Sequence, residues 1–406
     1  MGGSCYLDSA DKADCFGCEA CVQACAAGAI EMVADEDGFR YPGVDIAKCL
    51  KCGHCRQVCP VWEMPGASAP RYTFGGYVRD STTRDSSTSG GAFSAIAQSW
   101  ADDDTLIFGA ESVGLNVRHC SIRGVADLQR LRKSKYLQSA IGRSFEEARD
   151  ALRAGKRVLF SGTPCQVAGL KRFLREEDDS NLLTVEVVCE GVPTPNYICK
   201  FAAWLGKKKH ADVQGIDYRF KDGKKWDFQV MQASLQNSTR GIFKWKQDRW
   251  FNPFWSIWLQ HLMSRPSCYR CPFARRERVA DISLGDLWGV HLYCPDLYGR
   301  NGGASVIFCN TEKGVAALNK AKGLLFGREL NTEDAIRYQG PLRGHIKDNP
   351  DRNECLRDIR ELPYEQIVQK WAKPPTLSLL FQKYIWGNRQ KIAWWRICHK
   401  KAFGND

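Results

Sequence analysis

The sequence has no run of eighteen or more apolar residues, so no segment offers a membrane-spanning helix. Its opening, MGGSCYLDSADKADC, lacks the basic start and apolar stretch of a secretory signal, and the expected location is cytoplasmic. N-myristoylation at Gly2 calls for Ser or Thr where Tyr6 stands. No suitable G-x-G-x-x-G occurs, which excludes a standard Rossmann fingerprint for any nucleotide cofactor. No recognisable nucleic-acid motif accompanies the basic charge, so no nucleic-acid partner is expected.

What is present in excess is cysteine, 19 in 406 residues. In a small secreted chain that number would read as a disulfide scaffold; in a chain this long without an export signal, metal or redox use is the better reading. Charge separates two modules. Residues 1–60 hold nine Asp and Glu against five Lys and Arg, a net −4, which leaves +16 for the rest of a chain whose formal charge is +12. Bound anionic cofactors or substrates account for such a basic body.

Two runs of the form C-x-x-C-x-x-C-x-x-x-C occupy the acidic end: Cys15, Cys18, Cys21 and Cys25, then Cys49, Cys52, Cys55 and Cys59. Asp11–Cys25 (DKADCFGCEACVQAC) and Asp45–Cys59 (DIAKCLKCGHCRQVC) align at an offset of 34 residues, with Gln23 over Gln57 and Ala13 over Ala47. Thiolates repeating every third residue wrap one face of an iron–sulfur cube, and in two-cluster ferredoxins the fourth Cys of each run serves the other cube. The expected ligand sets are Cys15, Cys18, Cys21 and Cys59 on one 4Fe-4S cluster, and Cys49, Cys52, Cys55 and Cys25 on the other. Structural zinc more commonly combines two C-x-x-C pairs across a longer loop. Pro60 follows the second run, whereas Ala26 stands at the corresponding place after the first.

Pro60–Tyr72, rich in Pro, Gly, Ala and Ser, reads as a linker into a larger body. Ser86–Gly91 is a polar, glycine-rich loop opening a helix, a place that suits an anionic group. The stretch GKRVLFSGTPCQVAGLKRFL predicts a strand at Arg157–Ser161, a turn at Gly162 and a helix from Pro164 capped by Thr163. The strand NLLTVEVVC follows, ending at Cys189. Strand, helix, strand predicts a parallel crossover, which puts Ser161, Gly162, Thr163 and Cys189 at the carboxyl edge where ligands sit.

Cys165, Cys189, Cys268 and Cys271 form a less regular set. They read as a third metal site, as buried small residues, or, for Cys165 at a helix start, as a thiolate nucleophile. The remaining cysteines show no ligand spacing.

Six motifs in order, Ser89-Gly90-Gly91, Lys133–Ser139 (KSKYLQS), LFSGTPCQVAGLK, VVCEGVPTP, CYRCPFA and ADISLGDLWG, resemble the beta subunit of coenzyme F420 hydrogenases and dehydrogenases from about residue 5 to residue 310. The resemblance implies an FAD held outside a Rossmann fold, hydride exchange with a small-molecule substrate or deazaflavin, and single electrons passed through clusters. It implies a third 4Fe-4S cluster on Cys165, Cys189, Cys268 and Cys271. FAD candidates by the same analogy are Ser89, Gly90, Gly91, Ser134, Lys135, Tyr136, Gln138, Ser161, Gly162 and Thr163. Many members carry His after the strand-end cysteine, where this chain has Glu190. Asp281 and Asp286 read equally as ligand-orienting groups or turn caps.

The expected fold is an α+β ferredoxin-like two-cluster module (1–64), an α/β flavin-binding domain of non-Rossmann type (65–350) and a basic, aromatic helical tail (351–406). In the tail, Leu377, Leu380, Phe381, Tyr384 and Ile385 fall at helical spacing, with Trp394 and Trp395 among basic residues and Gly387 weakening a continuous helix. Such a stripe suits packing on the protein itself, a partner or a membrane surface. The expected function is an iron–sulfur flavoprotein oxidoreductase with a protein electron donor or acceptor; the alternative is a non-catalytic electron-transfer subunit of a larger complex.

Overall fold

The structure, a computed structural model, describes residues 4–221, 226, 229–298 and 302–398. In the N-terminal module β1 (Ile30–Ala34) and β2 (Arg40–Val44) form an antiparallel hairpin between the two cysteine runs. The short helices Ala20–Gln23 and His54–Gln57 repeat at the offset seen in the sequence.

The body is built on an eight-stranded mixed sheet. Its strands are β3 (Tyr72–Val78), β4 (Leu106–Val113), β5 (Asn116–Arg123), β6 (Val158–Gly162) and β7 (Leu182–Val187). A separate antiparallel sheet then intervenes, β8 (Asp212–Phe220), β9 (Val230–Asn237) and β10 (Gly241–Gln247), before β11 (Ile282–Asp286), β12 (Ser305–Cys309) and β13 (Leu325–Glu329) complete the first. The large sheet runs β13-β3-β12-β11-β7-β6-β4-β5. β4, β6, β7 and β11 are mutually parallel, and the flanking pairs are antiparallel.

Alternation along the parallel strands explains the two layers. Val158 and Phe160 face one core with Phe108, Phe145 and Val167, whereas Leu159 and Ile107 face the other with Ile96, Leu183 and Leu318. Each fully buried Phe of this kind contributes about 1.5–3 kcal/mol through area removed from water. Covered on both faces, these strands read as near-continuous apolar runs, which is why VLF and NLLTVEVV were legible as strands.

The expected strand–helix–strand unit is present: β6 and β7 pair in parallel across the Pro164–Phe173 helix. Pro164 occupies its first position, and the Gln166 side chain accepts from the Thr163 N–H at 3.0 Å. β7 stops at Val187, so Val188 and Cys189 leave the strand and turn toward the carboxyl edge.

The N-terminal module shares the body's core: Phe16, Cys18, Ala20, Ala24 and Val58 pack with Phe145 and Phe160. Gly169 is required here, since a Cβ would lie 2.9 Å from Cys18 Sγ. The two glutamines in register across the repeat both anchor the module. Gln23 Oε1 accepts from Phe145 and Glu146 N–H at 2.9 and 3.2 Å at a helix start, and Gln57 O accepts from Arg172 at 2.6 Å.

Beyond residue 350, the helices Arg352–Glu361 and Tyr364–Trp371 bury Cys355, Leu356, Ile359, Tyr364 and Ile367 in the core under the three-stranded sheet. The chain then continues as Leu377–Leu380, a π turn Phe381–Ile385, a break at Gly387 and the helix Asn388–Cys398. Leu377, Phe381, Ile385 and Trp394 are exposed. Lys400 and Lys401 lie outside the described residues, and so does the Trp395 side chain. No described helix is long and apolar enough to cross a membrane.

A buried ion pair joins β7 to the segment before β11: Arg278 Nε donates to Glu186 Oε1, with side chains 1% and 0% exposed, and Ser283 Oγ donates to the same oxygen at 2.7 Å. Removing one partner strands the other charge. Arg278→Met is expected to lower stability by about 3–5 kcal/mol, and Arg278→Met combined with Glu186→Gln to recover most of it, read from urea unfolding.

Candidate functional site: thiol-lined cavities and the sheet edge

Three cavities follow one another from the module into the body. The first is lined by Cys15, Cys18, Cys21 and Cys59, the expected set, together with Cys55 and Cys5. Cys5 had no spacing signal, yet it is 1% exposed and its thiol is raised by the neighbouring Cys59 and by burial. Cys21 is likewise raised, mainly by burial, then by Cys15 and Cys55. For the second set, burial raises Cys55, and Cys25 and Cys52 add to the shift.

The second cavity, about 200 Å³, is lined by Cys165, Cys189, Cys268 and Cys271. β6 and its helix deliver Cys165, the exit from β7 delivers Cys189, and the turn Pro266–Arg270 delivers the C-x-x-C pair. Burial pushes the Cys165 thiol up to about 12 and Cys268 to about 11, and raises Cys189 and Cys271 too. For Cys165 that burial outweighs the lowering by Thr163, which argues against a free thiolate nucleophile. Among the described residues no three His, Cys, Asp or Glu side chains come together around a single ion.

One local device recurs in all three cysteine groups. The residue two places after one Cys of each group turns into the left-handed region, Gly17 after Cys15 at φ 65°, Lys51 after Cys49 at 53° and Gly191 after Cys189 at 99°. Each aims its N–H at the thiol, and Cys15, Cys49 and Cys189 Sγ all accept at 3.4 Å. At Cys189 the Gly191 N–H lowers the thiol, against the larger rise from burial.

The third cavity, about 600 Å³, lies at the carboxyl ends of the parallel strands and borders the second through Thr163, Cys189, Glu190 and Gly191. Eight of the ten FAD candidates line it: Ser89, Gly91, Ser134, Lys135, Tyr136, Ser161, Gly162 and Thr163. Gly90 is tied just behind them, its N–H donating to Ser305 Oγ at 3.0 Å, and a Cβ there would meet Gly76 O at 2.5 Å. Gln138 is placed elsewhere: it lines the four-thiol cavity and donates to Phe16 O at 2.7 Å, bridging to the module. Gly91, at φ 82°, starts the nine-residue helix Ala92–Trp100. Lys135 is lowered to about 8 by burial, its ammonium donating to Leu131 and Arg132 carbonyls at 3.2 and 2.5 Å.

Sequence reasoning missed His119. Its Nε2–H donates to Ser161 O at 2.9 Å, Nδ1 accepts from Ser139 at 2.8 Å, and burial lowers its pKa to about 4, so the ring is neutral at pH 7. The two aspartates separate. Asp281 accepts from Thr184 and Thr311 within the core, while Asp286 lines the large cavity and pairs with Arg219. Glu190 borders both cavities.

Thiols grouped around voids, set against an anion-ready cavity at a sheet edge, define an iron–sulfur chain of the redox class. Residues 14–62 match the 4Fe-4S dicluster domain, and residues 155–326 match the C-terminal part of the coenzyme F420 hydrogenase/dehydrogenase beta subunit. The chain thus carries an iron–sulfur dicluster segment followed by one similar to the C-terminal part of that beta subunit. A chain of the xenon-derivatised F420-reducing NiFe hydrogenase complex from Methanosarcina barkeri aligns with a TM-score of 0.44 and 15% identity over 75% of this chain and 92% of that one. The comparison with curated proteins finds no match.

Proposed function

We propose that the chain is an FAD-dependent iron–sulfur oxidoreductase in which electrons pass between a partner protein and an organic substrate through three 4Fe-4S clusters and the flavin. The observation that carries this reading is the shared wall of Thr163, Cys189, Glu190 and Gly191 between the four-thiol cavity and the large cavity. Cys165 in turn adds to the rise of the Cys18 thiol, Cys18 packs against Gly169 of the same helix, and Phe16 lines both thiol cavities, so each cavity adjoins the next.

The donor sets fit the groups. Four buried thiols that repel one another stay protonated by themselves; an iron cluster that takes them as thiolates removes that conflict. In the large cavity, the Ala92–Trp100 helix start, Ser134 N–H beside Thr88, and the cations Lys135 and Arg132 suit the phosphates of a dinucleotide. When bound, FAD would supply hydride exchange with the substrate and single-electron exchange with the clusters. The protein's own part is to hold these groups in line, and to keep His119 neutral as a fixed donor against Ser161.

Protein reconstituted anaerobically with flavin and iron is expected to release noncovalent FAD on heat denaturation. A supernatant without flavin absorbance would falsify the FAD reading. The alternative, an electron-transfer subunit without its own substrate, predicts no turnover by the isolated chain with a reduced donor and any of a panel of organic oxidants. The exposed apolar side chains at Leu377, Phe381 and Ile385 support a docking role for the tail.

A further inference from the structure

The large cavity has a part around Arg219, its second lobe, where several lining side chains are left unassigned by the flavin reading. Strand β8 forms an edge of the three-stranded sheet and contributes Arg219 to this lobe. Arg219 is 4% exposed, and its Nη1 donates to Asp286 Oδ2, yet its Nε and Nη2 have no hydrogen-bond partner. A buried guanidinium with unused donors carries a desolvation cost that a native protein seldom leaves uncompensated. The unused pair is the edge on which Nε–H and Nη2–H run side by side, the fork that takes both oxygens of a carboxylate.

The surroundings narrow the ligand further. Trp255, Trp258, Trp288 and Tyr338 line the lobe, and the indole N–H of Trp255 is also without an acceptor. The Arg219 guanidinium sits 5.5 Å from the Trp288 ring centroid. Tyr136 packs edge-on to Trp255 and Trp258 at 4.9 and 5.2 Å, with its hydroxyl beside Arg219. Orphan donors outnumber orphan acceptors, Asp286 Oδ1 being the acceptor. Arg219 is already paired with Asp286, and Glu190 lines the same cavity, so a monoanion suits this part better than a phosphate dianion.

We propose that this lobe binds a planar, conjugated substrate through a carboxylate held by the free fork of Arg219, with the tryptophans flanking its ring. The assignment rests on the reading that the first lobe takes the flavin. Aromatic walls select a flat ring by offset or edge-on contact, and the buried fork selects the anion by direct hydrogen bonding.

The test uses the reconstituted full chain, with benzoate as probe and benzamide as its uncharged counterpart, titrated calorimetrically while flavin and iron per chain are counted. Benzoate is expected to bind at least about tenfold more tightly than benzamide, and Arg219→Lys, which keeps the charge and loses the fork, to weaken benzoate by about tenfold or more. Arg219→Met combined with Asp286→Asn removes the pair without stranding a buried carboxylate and is expected to abolish the preference, with melting temperature, iron and flavin unchanged. Equal binding of the two probes, or benzoate binding unaltered in the double variant, overturns the proposal. So does loss of flavin in Arg219→Lys, since it assigns the fork to the cofactor. Arg219-dependent benzoate binding in a chain that takes up no flavin upholds this assignment and removes the flavin reading instead.

Discussion

Replacing Cys165, Cys189, Cys268 or Cys271 by Ala, one at a time, is expected to remove about four irons per chain and leave about eight, with the four variants alike. The expectation follows from convergence: three separate segments bring four thiols to one cavity, and burial raises all four. Were they only packing residues, each Cys→Ala exchange would leave a small void and cost about 1 kcal/mol, with the iron count untouched. Were Cys165 a nucleophile, its Ala variant alone would lose turnover and keep every iron. Iron analysis with low-temperature electron paramagnetic resonance of the reduced variants separates the three. An undiminished cluster complement in Cys268→Ala and Cys271→Ala removes the third cluster.

The difference between what the sequence disclosed and what it did not follows the range of the interactions. Cys15 to Cys25 and Cys49 to Cys59 were legible because cluster ligation by the first three thiols of a run is a matter of three-residue spacing. The register of Gln23 and Gln57 was also visible, but not its use, since their partners at Phe145, Glu146 and Arg172 lie more than a hundred residues away. Cys165 and Cys189 meet only because β6 and β7 pair in parallel, and Cys268 and Cys271 join them only because the Pro266–Arg270 turn lies beside that edge; no local pattern records either fact. Gln138 shares a motif with Ser134, Lys135 and Tyr136, yet faces a different cavity, because a motif gives neighbours in sequence and not the direction of each side chain. Arg219 stood in an unremarked strand. His119 did too, its neutrality fixed by Ser139 and Ser161 from other segments. Spacing found the metal chemistry; tertiary pairing built the cavity beside it.

Arg265→Met is expected to uncouple the module from the body. Arg265 is 1% exposed and lines the four-thiol cavity, with its guanidinium reaching across to the module. Its Nε donates to Cys15 O at 2.8 Å, Nη2 to Arg40 O at 2.9 Å and to Cys15 Sγ at 3.4 Å, and Nη1 to Gln138 Oε1 at 3.2 Å. The charge also lies 4.3 Å from the Tyr41 ring centroid. Hydrogen bonds to a charged donor contribute about 1.5–3 kcal/mol each, and losing several at once, with their acceptors left buried, is expected to cost about 3–5 kcal/mol. Arg265→Lys keeps the charge but cannot serve Cys15, Arg40 and Gln138 together, so it is expected to recover only part of that loss. A positive charge this close to Cys15 also favours the more reduced state of a cluster ligated there, so its removal is expected to lower that cluster's potential. The measurements are urea unfolding for the junction, a redox titration followed by electron paramagnetic resonance for the potential, and stopped-flow reduction of the flavin by a reduced one-electron donor. Arg265→Met with wild-type stability, an unshifted cluster potential and undiminished flavin reduction would show that electrons enter the body by another route.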